Sequence, residues 1–383
     1  MHRRVYIDCA RGVAVLLMIE AHTLDAWTRA ASRSSIAYRN ATILGGFAAP
    51  LFLWLAGLAV VLAATRAAAR TGNRTRAVAA ICRRGLEIFI LAFLFRLQAF
   101  VVSPGSHSAM ILRVDILNVM GPAIVGAGVV WGLAETTIAR VAAYAAVAAA
   151  TAMVTPVVRA SAAIDRLPTW VQWYMRPAGE HTTFTLFPWI GFVFAGGAIG
   201  ALIAAARDEQ RERQLLVILT AAGGALVALG LAATARPSIY AASSFWTSSP
   251  TWFAIRVGIM MMALGAMYAA LKGRATTRGQ GRAIFRVARG FSAAIDALAR
   301  MGRSSLFIYW IHVELVYGYA TWPIRHKLPL WGTAIAFALF SALMYATILG
   351  RDRLIERWRH NRGQRKDVTG TDFGNQPGPL ARA

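Results

Sequence analysis

About ten apolar runs, each close to the roughly 20 residues a helix needs to cross a bilayer, dictate what this chain can fold into. They lie near 10–28, 44–65, 85–102, 112–132, 140–157, 183–206, 214–234, 251–271, 304–321 and 330–350. With 57% of its 383 residues hydrophobic and 15% charged, the chain holds far more apolar side chain than a soluble domain of that length needs for its core. The predicted fold class is all-α, a polytopic transmembrane helical bundle of about ten spans over 1–350. A basic, disordered cytoplasmic tail is expected over 351–383. No second soluble domain and no internal repeat is visible.

A net charge of +24 would point a soluble protein toward nucleic acid. Here the charge sits in alternate loops. Arg66, Arg70, Arg74, Arg76, Arg83 and Arg84 follow the second run, Arg207, Arg211 and Arg213 the sixth, and a third basic group, Lys272 to Arg303, the eighth. The intervening loops are poor in basic residues, so the positive-inside rule predicts a multi-pass protein of the inner cell membrane with both termini cytoplasmic. The expected partner of this surface is the lipid bilayer, with no nucleic acid. The 38 Arg and 3 Lys fit phosphate recognition and also a plain compositional bias toward Arg, Ala and Gly.

Cys9 and Cys82 imply no disulfide framework. His2, Arg3 and Arg4 precede an apolar run in the manner of a signal peptide, but Glu20 and His22 interrupt it, and a retained helix is expected. Between Lys272 and Gly302, Ile284, Val287, Phe291 and Ile295 recur at helical spacing among arginines, which predicts an amphipathic helix on the inner surface.

The first run, "YIDCARGVAVLLMIEAHTLDAW", is rich in ionisable groups. Each helical residue turns 100°, so the eleven steps from Arg11 to His22 total about 1100°, about 20° past three turns. Asp8 and Asp25 add neighbours at spacings of three, giving one stripe of Asp8, Arg11, Val15, Met18, His22 and Asp25. Glu20 points nearly the opposite way and needs another partner or its neutral form. An Arg, Lys or Asp at the centre of a lipid-facing helix costs on the order of 2.5–3.5 kcal/mol, so the stripe should face the bundle interior. His22 then lies about 18 Å from a start near residue 10, a little beyond mid-membrane.

Other polar residues fall inside apolar runs: Arg96, Asp115, Asn118, His312 and Glu314. Each is a candidate for binding a substrate, and interhelical pairing or helix capping explains each as well. Arg84 and Glu87 read as a structural pair. Pro188 and Trp189 in "FPWIGF" predict a break or bend that can open a cavity. The glycine-rich stretches "GAGVVWG" and "FAGGAIG" follow no strand and fit close helix packing. The aromatic and hydroxyl-rich "TWVQWYMRPAGEHTTF" and "YAASSFWTSSPTWF" suit either an interfacial belt or stacking on a sugar ring. No ligand spacing demands a metal.

The Arg, ten residues and His of "RGVAVLLMIEAH" resemble the first span of the acyltransferase-3 proteins, where that His is the proposed catalytic residue. The fragments "YIDCARGVAVLLMI", "GGFAAPLFLWLAGLAV", "VDILNVMGPAI", "LFPWIGFVFAGGAIG" and "MGRSSLFIYWIHVELVYG" resemble, in order from residue 6 to about 318, bacterial relatives of heparan-α-glucosaminide N-acetyltransferase. Both groups belong to one superfamily of transmembrane acyltransferases. The resemblance implies an acyl-CoA donor, acetyl-CoA as co-substrate, taken at the cytoplasmic face, and a saccharide or similar acceptor. The heparan enzyme places its proposed active His just before its second span. Here that segment, "RSSIAYRNATILGG", has none, so the chemistry is expected at His22.

Acyl transfer from a thioester needs an activated nucleophile and stabilisation of an oxyanion. His22 is expected to deprotonate an acceptor hydroxyl or amine, or to be transiently acetylated itself. Asp25 would orient the imidazole, and Arg11 would hold the donor or polarise its carbonyl. The competing reading is a proton-coupled carrier of a solute or lipid-linked sugar using the same buried charges.

Overall fold

The structure is a computed structural model that describes residues 4–102, 108–276 and 282–369, the side chains of 108–109, 273–291 and 359–369 excepted. Its helices are α1 (Val5–Trp27), α2 (Ile36–Gly45), α3 (Ala48–Thr71), α4 (Arg74–Val102), α5 (Ile116–Leu133), α6 (Thr137–Ala160), α7 (Thr169–Met175), α8 (Leu186–Ala205), α9 (Glu209–Thr234), α10 (Pro250–Thr276), α11 (Arg282–Arg303), α12 (Ser305–Tyr317) and α13 (Leu330–Thr369). Among the described residues there is no strand, only single bridges such as Thr28 with Leu328.

Eight of these segments are long and apolar enough to cross a membrane, α2 and α3 counting as one, which makes this a multi-pass membrane protein. Two of the ten expected spans fall outside that eight. The first, α1, has 23 residues, enough length, but its ionisable groups lower its hydropathy. The ninth is the 13-residue α12, ended by Gly318 in an extended conformation and followed by a 3-10 turn, Tyr319–Ile324. Thirteen residues rise only about 20 Å, short of the roughly 30 Å hydrocarbon layer.

The polarity of α1 is tolerated because this helix is the centre of the bundle. It packs against α2, α3, α10, α11, α12 and α13, and even Asp8 is buried. The rim helices are the reverse: Val217, Ile218, Leu229 and Leu231 of α9 are exposed, as apolar side chains facing lipid should be.

Several helix pairs approach so closely that only glycine fits, α3–α8 and α1–α11 among them. A Cβ on Gly57 of α3 would come within 1.8 Å of the Val193 carbonyl oxygen of α8, and one on Gly196 within 1.8 Å of that of Trp54. This is the close packing that "FAGGAIG" predicts. Likewise, a Cβ on Gly302 of α11 would meet the Asp8 carbonyl oxygen of α1 at 1.9 Å.

The predicted amphipathic helix therefore does not simply lie on the surface in its described half: Ile295 and Ala299 bury against Cys9 of α1. Ile284, Val287 and Phe291 lie outside the described side chains. α13 continues past 351 to Thr369, through residues that are mostly good helix formers, and Arg351 ties it to Ser304 at 2.9 Å. Residues 370–383 lie outside the described residues. The expected break in "FPWIGF" sits at the entrance of α8, where Phe187 leaves helical geometry (φ −100°, ψ 126°).

Candidate active site

A cavity of about 1270 Å³ runs alongside α1. At one end it is lined by Arg11, Gly302 and Arg303, from the start of α1 and the end of α11. At the other it is lined by Asp25 and Tyr317, in the last turns of α1 and α12, and by Arg325 beyond α12. His22 lies on the wall between them.

His22 is half-buried, and its Nδ1 lies 2.8 Å from Nε2 of His312. His312 is fully buried, with its own Nδ1 at 2.9 Å from the Ile308 carbonyl oxygen and 3.0 Å from that of Tyr309. Two carbonyls can only accept, so Nδ1 of His312 carries a proton. Its Nε2 in the neutral ring is then an acceptor, and Nδ1 of His22 must donate to it. Nε2 of a neutral His22 is left with a free lone pair on the side of the ring away from His312. The tautomer is thus fixed by geometry, although the partner is not the one expected.

The Asp25 carboxylate is hydrogen-bonded to Tyr317 and not to the imidazole. Its carboxylate accepts a hydrogen bond from the Tyr317 hydroxyl at 2.9 Å and lies 3.8 Å from Arg33, with the side chain 61% exposed. The ring of Tyr317 stands edge-on to His22, centroids 5.7 Å apart. Tyr317 thus stands in contact with both Asp25 and His22. The Asp25 side chain is engaged at the mouth by Tyr317 and Arg33.

The wall facing His22 holds a second polar group. Arg96 of α4 forms an ion pair with Asp115, which also accepts from the Tyr309 hydroxyl at 3.1 Å. Asp115 is in addition the N-cap of α5 in a capping box with Asn118. The capping explanation weighed for both residues is therefore realised, and so is interhelical pairing. Asn118 is fully buried and donates to the Tyr174 hydroxyl at 3.3 Å; burial raises the pKa of that phenol. Beside this group Arg113 donates to Thr183 at 3.0 Å. Burial, reinforced by the positive charge of Arg96, lowers its pKa from the ordinary guanidinium value, and it remains charged near neutrality.

Of the candidates, Arg11, His22, Asp25, Arg96, Asp115 and Glu314 line the cavity, whereas Asp8, Asn118 and His312 stand behind it. Arg84 and Glu87 form the expected surface pair at 3.1 Å. Glu20 turns away from His22 toward the α2–α3 junction, where its Oε2 is buried with no hydrogen-bond partner among the described residues. Sequence reasoning missed Tyr309, Tyr317, Arg159 and Arg256. Tyr309 lies three residues before His312, on one helical stripe with it. Arg256 is a charge inside the apolar run 251–271, the same signal that singled out Arg96.

The arrangement can seat an acyl donor and an acceptor together. Three arginines at the end nearest the start of α1, Arg11, Arg84 and Arg303, suit phosphate groups, and an imidazole with a free lone pair lies about 17 Å further along α1.

No curated protein matches the chain. The family model described as heparan-alpha-glucosaminide N-acetyltransferase, catalytic, matches residues 3–235, which include His22, Arg96, Asp115 and Asn118. The chain belongs to that family of membrane acetyltransferases, which use acetyl-CoA.

Proposed function

We propose that this protein moves an acetyl group from cytoplasmic acetyl-CoA to a saccharide-like acceptor entering from the opposite face, with His22 as the general base. The observation that carries the reading is the His22–His312 contact at 2.8 Å on the wall of a cavity reaching both ends of α1. Counting α1 and α12 as crossings gathers the arginine-rich connections on the side of the chain termini, which supports a cytoplasmic location for the Arg11 end.

In this mechanism Nε2 of His22 takes the proton from the acceptor hydroxyl or amine as its oxygen or nitrogen attacks the thioester carbonyl. The carbon–sulfur bond breaks, and the proton passes from His22 to the departing thiolate, leaving acetylated acceptor and free CoA. His312 holds the tautomer. Arg11 holds the donor, and Tyr309 with the Arg96–Asp115 pair forms the polar wall that keeps the acceptor in register.

The test is release of CoA thiol from acetyl-CoA by purified protein offered amino and neutral sugars. Acceptor-dependent release that is lost in His22→Ala, with the variant still inserted and folded, supports the reading. Transport of solute across vesicles with no thiol release would replace it with the carrier.

A further inference from the structure

A second, smaller cavity of about 70 Å³ opens between α3, α6 and α8, lined by Val61, Thr65, Thr137, Arg140 and alanines of α8 such as Ala204. It shares no lining residue with the cavity beside α1. The rotation of α3 explains the separation. Ala56, Ala59, Val60 and Ala63 line the large cavity, whereas Val61 and Thr65, four residues apart, share the opposite face of the helix and line the small one.

Every polar side chain on the wall of this pocket can donate a hydrogen bond. Arg140 donates to the protein only from Nε, at 3.0 Å from the Ala134 carbonyl oxygen, and its Cζ lies 4.6 Å from the centroid of the Trp131 ring. Its two Nη groups have no hydrogen bond and no carboxylate within ion-pairing distance among the described residues. Arg74 stands beside the same ring, 5.6 Å from the centroid, and donates to the Gly132 and Ala134 carbonyl oxygens; its acidic neighbour Glu135 is exposed and 3.7 Å away. Capping the end of α5 therefore accounts for Arg74 and for Nε of Arg140, and it leaves the Arg140 fork without an acceptor. Thr65 accepts from Nε1 of Trp131 at 3.3 Å, so its own O–H is left to donate. The Thr137 hydroxyl makes no hydrogen bond among the described residues.

One guanidinium and two hydroxyls, with no carboxylate, are complementary to an oxyanion. A single water needs about 10–15 Å³, so the pocket has room for a group of several non-hydrogen atoms, such as a tetrahedral phosphate. Its depth is that of a headgroup. Arg140 is three residues into α6, about 4.5 Å along the axis, and Ala205 is the last residue of α8. Leu133 and Ile138, from the neighbouring ends of α5 and α6, are exposed, as side chains that meet acyl chains should be. Basic pockets between membrane helices at this level bind phosphorylated headgroups.

We infer that this pocket is a phosphate site, filled by the phosphate of a phospholipid headgroup or by a free phosphate ion. Arg140 grips two of its oxygens, and Thr65 and Thr137 donate to the others. A phosphate held there ties α3, α6 and α8 together at one end of the close α3–α8 contact. The site stands apart from the transferase reading, which places donor and acceptor in the other cavity.

The test uses the full-length protein in uncharged detergent. Its thermal unfolding is followed as inorganic phosphate replaces chloride at constant ionic strength, and native mass spectrometry counts the phosphatidylglycerol retained from mixed micelles. A ligand of the folded state raises the midpoint, and Arg140→Gln should weaken its binding about tenfold or more, as loss of a charge-assisted contact implies. Because Arg140 also caps α5, Ala204→Leu is the second variant: it fills the pocket, leaves the capping contacts in place, and should remove binding too. A phosphate-dependent rise lost in both variants supports the site as one for the free ion. Retained phosphatidylglycerol lost in both, with no response to phosphate, supports it as one for a headgroup. Responses to phosphate and lipid that persist in folded Arg140→Gln and Ala204→Leu overturn the proposal, and so does the absence of both responses in the unaltered protein. A phosphate response kept in these variants but lost in Arg11→Gln would place the ion in the large cavity, which overturns it equally.

Discussion

Nδ1 of His22 lies 2.8 Å from Nε2 of His312 across the α1–α12 contact, and the backbone carbonyls of Ile308 and Tyr309 decide which ring donates. In a serine hydrolase a carboxylate performs this service. Here a second imidazole does so, without placing a full negative charge in the bundle. A group that can only accept in its neutral, Nδ1-protonated form fixes the tautomer of its neighbour as firmly as a carboxylate does.

His312→Ala removes the partner that fixes His22 and should lower kcat by about 10²- to 10⁴-fold, the usual worth of a positioned general base, with little change in KM for acetyl-CoA. A merely structural His312 would lower the yield of folded protein and leave the pH–rate profile of the surviving fraction in place. An orienting His312 moves the acid limb of that profile, and comparing His312→Ala with His312→Gln by initial rates across pH separates the two.

Asp25→Asn tests the expectation that this carboxylate orients His22. Its carboxylate contacts are the Tyr317 hydroxyl at 2.9 Å and Arg33 at 3.8 Å, with the Asp25 side chain 61% exposed, and exposed pairs contribute about 0.2–1 kcal/mol. Activity should fall by less than about tenfold. A loss as large as that in His22→Ala would restore Asp25 to the reacting group.

Breaking the buried pair should cost more in stability than any change at the mouth. Asp115→Asn leaves Arg96 uncompensated and removes charge from the α5 cap, and loss of one partner of a buried pair typically costs about 3–5 kcal/mol. The double variant Arg96→Met with Asp115→Asn should recover part of that loss. Thermal unfolding in detergent measures both, and equal midpoints for the single and double variants would mean that the two residues do not act as a pair.

Gly196→Val places side-chain atoms where the Trp54 carbonyl already sits. Overpacking of this kind typically costs about 1–3 kcal/mol, and more is expected here because the clash is with backbone. The folded fraction recovered after detergent extraction should drop sharply, whereas Gly224→Val, at a glycine with nothing within 4 Å of an added Cβ, should not change it.

Apolar runs located the membrane-crossing segments, because a run of roughly 20 apolar residues satisfies its backbone in lipid as a helix, and helical periodicity placed Arg11 and His22 on one stripe, because both lie on one continuous element. Asp115 and Asn118 were readable as a cap for the same local reason. The partner of His22 was not readable in this way: His312 is 290 residues away, and the order of the chain does not say which faces of α1 and α12 meet. Asp25 shows the same limit, since periodicity gives angle but not which neighbour stands at that height.

What the sequence alone determined is therefore the all-α membrane class and the polar face of the first helix, both properties of single segments in a known solvent. Only the tertiary structure decided that a second imidazole holds the first, that Asp115 pairs with Arg96, and that Arg159 and Arg256 share a cavity wall. Those pairings arise from how helices distant in sequence pack, through close contacts such as Gly57 with Val193, and no local pattern encodes them.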